Sequence, residues 1–405
     1  MSKHQPLLHI TQRGAIKWYK ALLIRVLAFA AALAVCGLLC AMVTWEGGSA
    51  TAGMTLPERF VVFLRDLCNA IGRIAQVVFN ASFKSDRVVW KTMHSTAILL
   101  LLSLAVTPAF RMRFWNIGAE GQALMGCLAS ATCMILLRGS GMPGWLTILV
   151  IFLASILAGM IWAVIPAVFK ATTRTNETLF TLMMNYIATQ LVAFFCVVWE
   201  NPKGSGQIGV INQSGEFKHF GWLPSISEIF PGVAPSFKGN NYLLNIVIVA
   251  VVCVILFFYL SRSKHGFELS VVGRSENTAR YLGVKVRWIT IRTMMLSGAL
   301  CGLAGMLLTA GNDHTLNPTL VGGRGFTAVM VSWLAGFNPF VMVFMSFLLS
   351  FLSNGASDLA TNFGLNASYS DILTGIIIFF IIGSEFFIRY RVHTRSSAES
   401  GQEVV

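Results

Sequence analysis

Asn116, Glu120 and Gln122 lie at the start of an apolar stretch, directly after Arg111 and Arg113. Asn and Gln side chains both donate and accept hydrogen bonds, whereas an ionised Glu only accepts them. This mixture suits the hydroxyl groups and ring nitrogens of a polar, uncharged solute. A charge near membrane depth is costly unless it faces a cavity or a partner. Glu120 is therefore predicted to have a function beyond packing.

Composition places these residues in a membrane protein. The chain has 405 residues, of which 55% are hydrophobic and 12% charged, and its mean hydropathy is +0.70. A soluble domain carries about 25% charged residues. The net charge of +13 would suggest nucleic acid as a partner of a soluble protein. In a membrane protein it reflects basic cytoplasmic loops, so no nucleic-acid partner is expected.

The hydropathy pattern predicts an all-α, polytopic fold with about ten transmembrane helices. Residues 325–357 contain no charge, and this run is too long for one helix, so we divide it at Asn338-Pro339. The predicted spans are 22–45, 92–110, 117–137, 144–169, 178–199, 241–261, 293–312, 324–337, 339–355 and 368–388.

The distribution of basic residues predicts the orientation. With the N-terminus in the cytoplasm, 19 of the 30 Lys and Arg residues fall on the cytoplasmic side. This is the positive-inside pattern, with both termini cytoplasmic. The first apolar span is too long for a cleavable signal peptide and lacks a cleavage site.

Two predicted extracytoplasmic segments are long. Residues 46–91 contain apolar residues at helical spacing over 56–80, which indicates an amphipathic helix on the outer face. Residues 200–240 are rich in Gly, Pro, Ser and Asn and are predicted to form a loop. Both segments could cover helix ends or form a docking surface for an extracytoplasmic partner.

The charged cytoplasmic stretch 262–292 is predicted to carry a short docking helix over 276–282. Gly283 follows as its C-terminal stop. Such a helix could press into a cytoplasmic partner, and the alternative is a solvated loop. The candidate coupling residues are Gly273, Glu276, Ala279, Arg280, Tyr281 and Gly283.

Other apparent signals carry no function. Residues 204–209 match GxGxxG, but no strand precedes them, so nucleotide binding is not predicted. No phosphate-binding GxxxxGK[ST] motif occurs. The eight cysteines form no CxxC pair and the seven histidines have no metal-ligand spacing. We therefore expect neither a metal nor a cofactor in this chain.

Five motifs together carry a family resemblance. Residues 114–122 resemble the signature FNIGAEGQ, and residues 272–284 resemble a loop that reads approximately AVGxNxxAARYxGI. Residues 175–188 resemble an NE…TLMLNYIA segment, residues 297–305 an SGxLAGLAG helix, and residues 323–329 a GxGFxGIAV stretch. These motifs, spread over about residues 90–388, are similar to those of ABC-importer permeases in the branched-chain amino acid and simple-sugar superfamily. The combination of the 114–122 and 175–188 segments resembles the nucleoside branch of this superfamily.

The resemblance implies a single permease domain over 1–405 that is not an enzyme and lies in the lipid of the bacterial cytoplasmic membrane. It implies three partners: a cytoplasmic ABC ATPase that holds ATP-Mg, a second related permease, and an extracytoplasmic substrate-binding lipoprotein. A simple-sugar importer remains an alternative. An ion-coupled secondary transporter is another, although internal repeats and a buried ion site are not evident.

Two candidate pathway residues lie outside the first segment. Asn185 falls inside the fifth span and either contacts the solute or makes an interhelical hydrogen bond. Trp333 stands where the family usually has Leu, and its large indole adds an N–H donor. Glu120 also has an alternative role, in which it pairs with Arg113 and braces the inner end of a broken helix.

Overall fold

The computed structural model describes residues 8–12, 18–44, 65, 72, 83–173, 175–230, 237, 239–362 and 367–394. They belong to two compact units, one of residues 85–350 and one of residues 1–84 with 351–405. The amphipathic helix predicted over 56–80 lies outside the described residues, apart from the single positions 65 and 72.

The described chain is almost entirely helical. In chain order its elements are β1 (Leu8–Gln12), α1 (Trp18–Thr44), α2 (Asp86–Arg111), α3 (Ala119–Leu136), α4 (Gly144–Thr173), α5 (Glu177–Val198), α6 (Ile226–Ile229), α7 (Leu243–Arg262), α8 (Lys264–Arg274), α9 (Glu276–Tyr281), α10 (Val286–Leu308), a π-helical turn (Thr309–Asp313), α11 (Arg324–Leu334), α12 (Pro339–Asn362), α13 (Ala367–Arg389) and β2 (Tyr390–Thr394).

Within the described ranges, eight helices are long and apolar enough to cross a membrane, and α1 contains a shorter apolar stretch, Leu23–Leu39. The predicted all-α, multi-pass fold is confirmed. The structure differs at 324–337, where α11 has only 11 residues. Such a helix is about 16 Å long, roughly half of the ~30 Å hydrocarbon core. The predicted break before Pro339 is present, because α12 begins at that residue.

In the smaller unit the ends of the described chain meet. Arg25 on α1 forms a salt bridge of 3.1 Å with Glu385 on α13. Strands β1 and β2 pair antiparallel, with Leu8 opposite Thr394 and Gln12 opposite Tyr390. These strands were not predicted. Their pairing places residues 8–12 and 390–394 on the same side of the membrane, and the identity of that side stays a prediction.

In the larger unit, α10 packs closely against α4 through small residues. A Cβ atom on Gly298 would collide with the carbonyl oxygen of Gly159, and one on Gly302 would collide with that of Ser155. Small residues at such spacing allow helix backbones to approach closely in lipid. This close approach of α10 and α4 helps to form the scaffold around residues 114–122.

Candidate functional site

Asn116 organises the turn between α2 and α3. Its side chain is fully buried, at 0% exposure. Its Oδ1 accepts hydrogen bonds from the backbone N–H of Gly118 at 3.0 Å and from Nε2 of Gln122 at 3.1 Å. Its Nδ2 donates to Oγ of Ser297 on α10 at 3.0 Å. The hydrogen-bonding groups of Asn116 and Gln122 are therefore used within the protein. Both side chains are buried, so in this conformation they are not available to a solute.

Asn185 joins α5 to the same turn. Its Oδ1 accepts from the N–H of Gly121 at 2.9 Å, and its Nδ2 donates to the carbonyl oxygen of Ile117 at 2.9 Å. The interhelical alternative is the arrangement present in the structure. The side chain is buried, so a direct contact with the solute would require this turn to open.

Glu120 holds the N-terminus of α11. Its Oε1 accepts from the N–H of Gly323 at 2.8 Å, and its Oε2 accepts from the N–H of Gly325 at 2.7 Å. A carboxylate is favourable there because the first N–H groups of a helix lack intrahelical partners and carry partial positive charge. The predicted pairing with Arg113 is wrong, although the bracing of a broken helix is present. Arg113 is exposed.

The chain segment between α10 and α12 is helical only in its second half, which is α11. His314, at its beginning, accepts a hydrogen bond through its carbonyl from the N–H of Ile211 in the 200–240 loop at 2.7 Å. Phe337, just beyond α11, accepts one from the guanidinium of Arg111 at the end of α2, at 2.8 Å. Because successive spans alternate in direction, these contacts lie at opposite ends of the bundle. Residues 314–323 therefore form the non-helical first half of this pass.

Non-helical backbone at membrane depth is not tolerated against lipid, so it must be covered by protein or line a water-filled cavity. Thr319 and Gly322 in this segment are exposed. On α11, Phe326 and Trp333 are also exposed. We refer to the surface formed by Thr319, Gly322, Phe326 and Trp333 as the α11 face. Its physical character requires a partner protein or a solute pathway beside it.

An aromatic pair lies at the C-terminal end of α11. Trp115 and Trp333 stack with ring centroids 5.2 Å apart and an interplanar angle of 24°. They are 43% and 41% exposed. Phe110 supports both rings edge-on, with centroids at 5.8 and 6.4 Å. By contrast, Phe114 is buried and offers no surface. Of the predicted pathway residues, only Trp333 presents its side chain at the surface.

A buried cluster of polar side chains was not predicted from the sequence. His94 Nε2 lies 3.1 Å from Nδ2 of Asn245, and both side chains are buried between α2 and α7. Arg324 lies within electrostatic range of Glu120 and Asp313. Polar residues inside spans are rare, which is the signal that could have identified His94 and Asn245.

In the GxGxxG segment, two backbone N–H groups already donate hydrogen bonds to a nearby side chain. The N–H groups of Gly204 and Gly206 donate to the carboxylate of Glu200 at 2.7 and 3.0 Å. These hydrogen bonds hold the pKa of Glu200 below its usual range. The backbone donors that a nucleotide phosphate would need are therefore occupied by a carboxylate. In the described ranges, no three His, Cys, Asp or Glu side chains come together as a metal site.

The segment 262–292 folds into α8, α9 and the start of α10. The Oγ of Ser275 caps α9 by accepting from the N–H of Thr278 at 3.3 Å. Gly283 ends the helix with a positive φ of 77°, a conformation that glycine adopts without strain. The predicted short helix is thus present.

The predicted coupling residues divide into two groups. Gly273 packs against the carbonyl of Arg111, and Ala279 is fully buried in the chain's own apolar cluster. Glu276 and Arg280 form a weak ion pair at 3.5 Å, with both side chains more than half exposed. Tyr281 is 92% exposed, and the adjacent Leu282 is 64% exposed. A partner would therefore meet Tyr281 and Leu282, because Ala279 faces inward.

Comparison with known proteins decides the family. Residues 89–382 match the family described as branched-chain amino acid transport system / permease component. The chain belongs to this family. It is therefore a multi-pass permease subunit of an ABC transporter and not an enzyme. Membership implies an ATPase and a second permease as partners.

Three relatives are similar over most of their length. The glucose ABC transporter permease protein TsgB13 of Haloferax volcanii is 31% identical, over 78% of this chain and 81% of the relative. The guanosine ABC transporter permease protein NupP of Bacillus subtilis is 28% identical, over 77% and 86%. The nucleoside ABC transporter permease protein NupB of Lactococcus lactis is 26% identical, over 75% and 81%.

Proposed function

We propose that this permease imports nucleosides across a bacterial cytoplasmic membrane. It would form the pathway with a second permease, receive cargo from an extracytoplasmic binding lipoprotein, and be driven by ATP hydrolysis in a cytoplasmic ATPase. The structural observation that supports a cargo with a flat ring is the exposed, stacked pair of Trp115 and Trp333 at the C-terminal end of α11.

The chemistry of this pair fits a nucleoside. Base–aromatic stacking contributes about 1–3 kcal/mol per base and tolerates different bases. The non-helical segment 314–323 exposes Thr319 and Gly322, and its backbone would supply the polar groups that ribose hydroxyls require. The guanosine and nucleoside permeases among the relatives support this choice. Asn116 and Gln122 would position the turn that carries Trp115.

A simple sugar is the second candidate cargo. The glucose permease of Haloferax volcanii, at 31% identity, favours it. An indole face also accommodates the apolar face of a sugar ring, so the aromatic pair alone does not separate the two classes. Competition during transport separates them.

Uptake of labelled guanosine by cells that express the complete importer tests the proposal. Excess unlabelled nucleoside is expected to inhibit uptake strongly, and excess ribose or glucose is expected to have little effect. Replacement of Trp333 by leucine should lower guanosine uptake severalfold, because one stacking face is lost. The matched control is Trp145→Leu, which removes an exposed tryptophan at the start of α4.

Strong inhibition by glucose or ribose, with none by nucleosides, would transfer the assignment to sugar import. Equal loss of uptake in Trp333→Leu and Trp145→Leu would remove the α11 face from the pathway. In both measurements, membrane abundance of each variant is compared by immunoblot, so that reduced assembly is not mistaken for reduced transport.

The proposed orientation places Asn277 in the cytoplasm and Ser205 outside. Single cysteines at these exposed positions, in a background without Cys68, are expected to react differently with a membrane-impermeant thiol reagent in intact cells. Ser205→Cys should be labelled and Asn277→Cys protected, because the positive-inside pattern places the 262–292 segment in the cytoplasm. The reverse labelling pattern would invert the orientation.

A further inference from the structure

A cavity of about 750 Å³ lies beside the coupling segment. It is enclosed by the link after α2, the last turn of α4, helix α9 and the first turn of α10. Its apolar floor belongs to the buried cluster that holds α9 in place. The lining residues that matter below include Met112, Arg113, Val272, Glu276, Lys285 and Arg287.

The lining is strongly cationic. It contains five basic side chains from four separate segments and only one acidic side chain, Glu276. Lys170 is paired with Glu177 at 2.7 Å, and Arg280 with Glu276 at 3.5 Å. The other three cations have no acidic partner among the residues that the structure describes: Arg113, Lys285 and Arg287. All three are exposed, so water and salt screen their mutual repulsion in part, and an anion bound among them would lower it further.

The proposed docking contact with the ATPase leaves this charge unexplained. Tyr281 and Leu282 do not line the cavity. The solute pathway does not explain it either, because Trp333 and the rest of the α11 face are absent from the lining. Two candidate coupling residues, Glu276 and Arg280, do line the cavity, and they pair with each other. The cations Arg113, Lys285 and Arg287 belong neither to the coupling residues nor to the α11 face, so their role is independent of which cargo is transported.

The position of the cavity indicates where an anion would come from. Lys170 lies in the last turn of the 30-residue helix α4, one of the membrane-spanning helices. Trp288, at the edge of the cavity, is 58% exposed. Tryptophan and basic residues at the end of spans mark the interface between lipid tails and headgroups. Basic pockets between spans on the cytoplasmic side suit anionic headgroups.

We propose that this cavity binds a phosphate-bearing anion, and that the anion is the headgroup of an anionic phospholipid from the inner leaflet. Arg113 and Arg287 would hold the phosphate through charge-assisted hydrogen bonds, which guanidinium groups make in bidentate geometry. The aliphatic floor formed by Met112 and Val272 suits the glycerol end of the lipid. A bound lipid would then brace α9 against the membrane surface.

The test uses the assembled importer in detergent, measured by native mass spectrometry. The complex is titrated with phosphatidylglycerol, and in a parallel series with zwitterionic phosphatidylcholine. The variant Arg113→Gln/Arg287→Gln is expected to weaken retention of phosphatidylglycerol on the order of tenfold, because two cations near the phosphate are lost. The matched control is Arg274→Gln, which removes an exposed cytoplasmic arginine outside the cavity.

A second arm distinguishes the two sources of phosphate. Guanosine monophosphate and guanosine are titrated calorimetrically into the same complexes. One possible result is that guanosine monophosphate binds and guanosine does not, that this binding is lost in the double variant, and that phosphatidylglycerol retention is the same in both complexes. This result would support a phosphate site, with a soluble ligand in place of the lipid. Equal retention of phosphatidylcholine and phosphatidylglycerol, or full phosphatidylglycerol retention in the double variant with no monophosphate effect, would overturn the proposal.

Discussion

Replacement of Tyr281 by aspartate is expected to abolish ATP-driven uptake while the permease remains folded in the membrane. Tyr281 is 92% exposed at the end of a short helix in a highly charged segment, which is an unfavourable place for an aromatic ring unless a partner covers it. Truncation of an aromatic residue at the centre of an interface costs 2 kcal/mol or more, as an approximate lower limit. A carboxylate at the same position would also be desolvated without a partner.

The design of this experiment rests on three comparison variants. Tyr281→Phe keeps the ring and should retain most uptake. Ala279→Asp places a charge in the chain's own buried cluster, so it should lower the thermal stability and abundance of the permease itself. Gly283→Ala puts a side chain at a φ of 77°, which costs about 1 kcal/mol, and should reduce coupling only partly.

The readouts are uptake by membrane vesicles supplied with internal ATP, and co-purification of the ATPase with the tagged permease. Tyr281→Asp should lose both, at a permease abundance equal to that of the wild type. Normal uptake in Tyr281→Asp would remove α9 from energy coupling. Loss of uptake with full co-purification would place Tyr281 in transmission of motion and not in docking.

Hydropathy was sufficient to locate most spans because each is a long apolar run flanked by charged or Gly- and Pro-containing segments. The short helix α9 was also predictable, since its start and stop depend on the local residues Ser275 and Gly283. These features require only neighbours in the sequence. The same holds for the glycines of α10, whose spacing places them on one face of that helix.

The site itself depended on contacts that local pattern does not encode. Glu120 accepts hydrogen bonds from Gly323 and Gly325, which lie more than 200 positions further along the chain. The uncharged run over 325–357 contains no signal for a helix that begins halfway across the membrane. The burial of Asn116 was likewise unpredictable. The same amide group that can bind a solute can also make hydrogen bonds to the backbone and side chains of a turn.

Removal of the Glu120 carboxylate is expected to destabilise α11 and to stop transport. Glu120→Ala leaves the buried N–H of Gly325 without an acceptor, at about 1–3 kcal/mol, and the partly buried N–H of Gly323 also loses its partner. The nearby guanidinium of Arg324 would also lose one of its two compensating charges. Glu120→Gln keeps one acceptor oxygen but turns an NH₂ group toward the second backbone donor, so it should be nearly as damaging.

Gly325→Ala tests the same contact from the other side, without a change in charge. A Cβ atom at this position would collide with the backbone of Glu120, which would push the start of α11 away from α3. The control is Glu177→Gln, which removes another carboxylate near a helix start, one whose salt-bridge partner is the partly exposed Lys170. The unfolding temperature of the purified importer and its guanosine uptake should both fall in Glu120→Ala and Gly325→Ala, and change little in the control.

If Glu120→Ala unfolds at the wild-type temperature and transports normally, the carboxylate does not hold the broken helix. If it unfolds at the wild-type temperature and yet fails to transport, Glu120 acts on the solute directly, and the two backbone hydrogen bonds are incidental to its role.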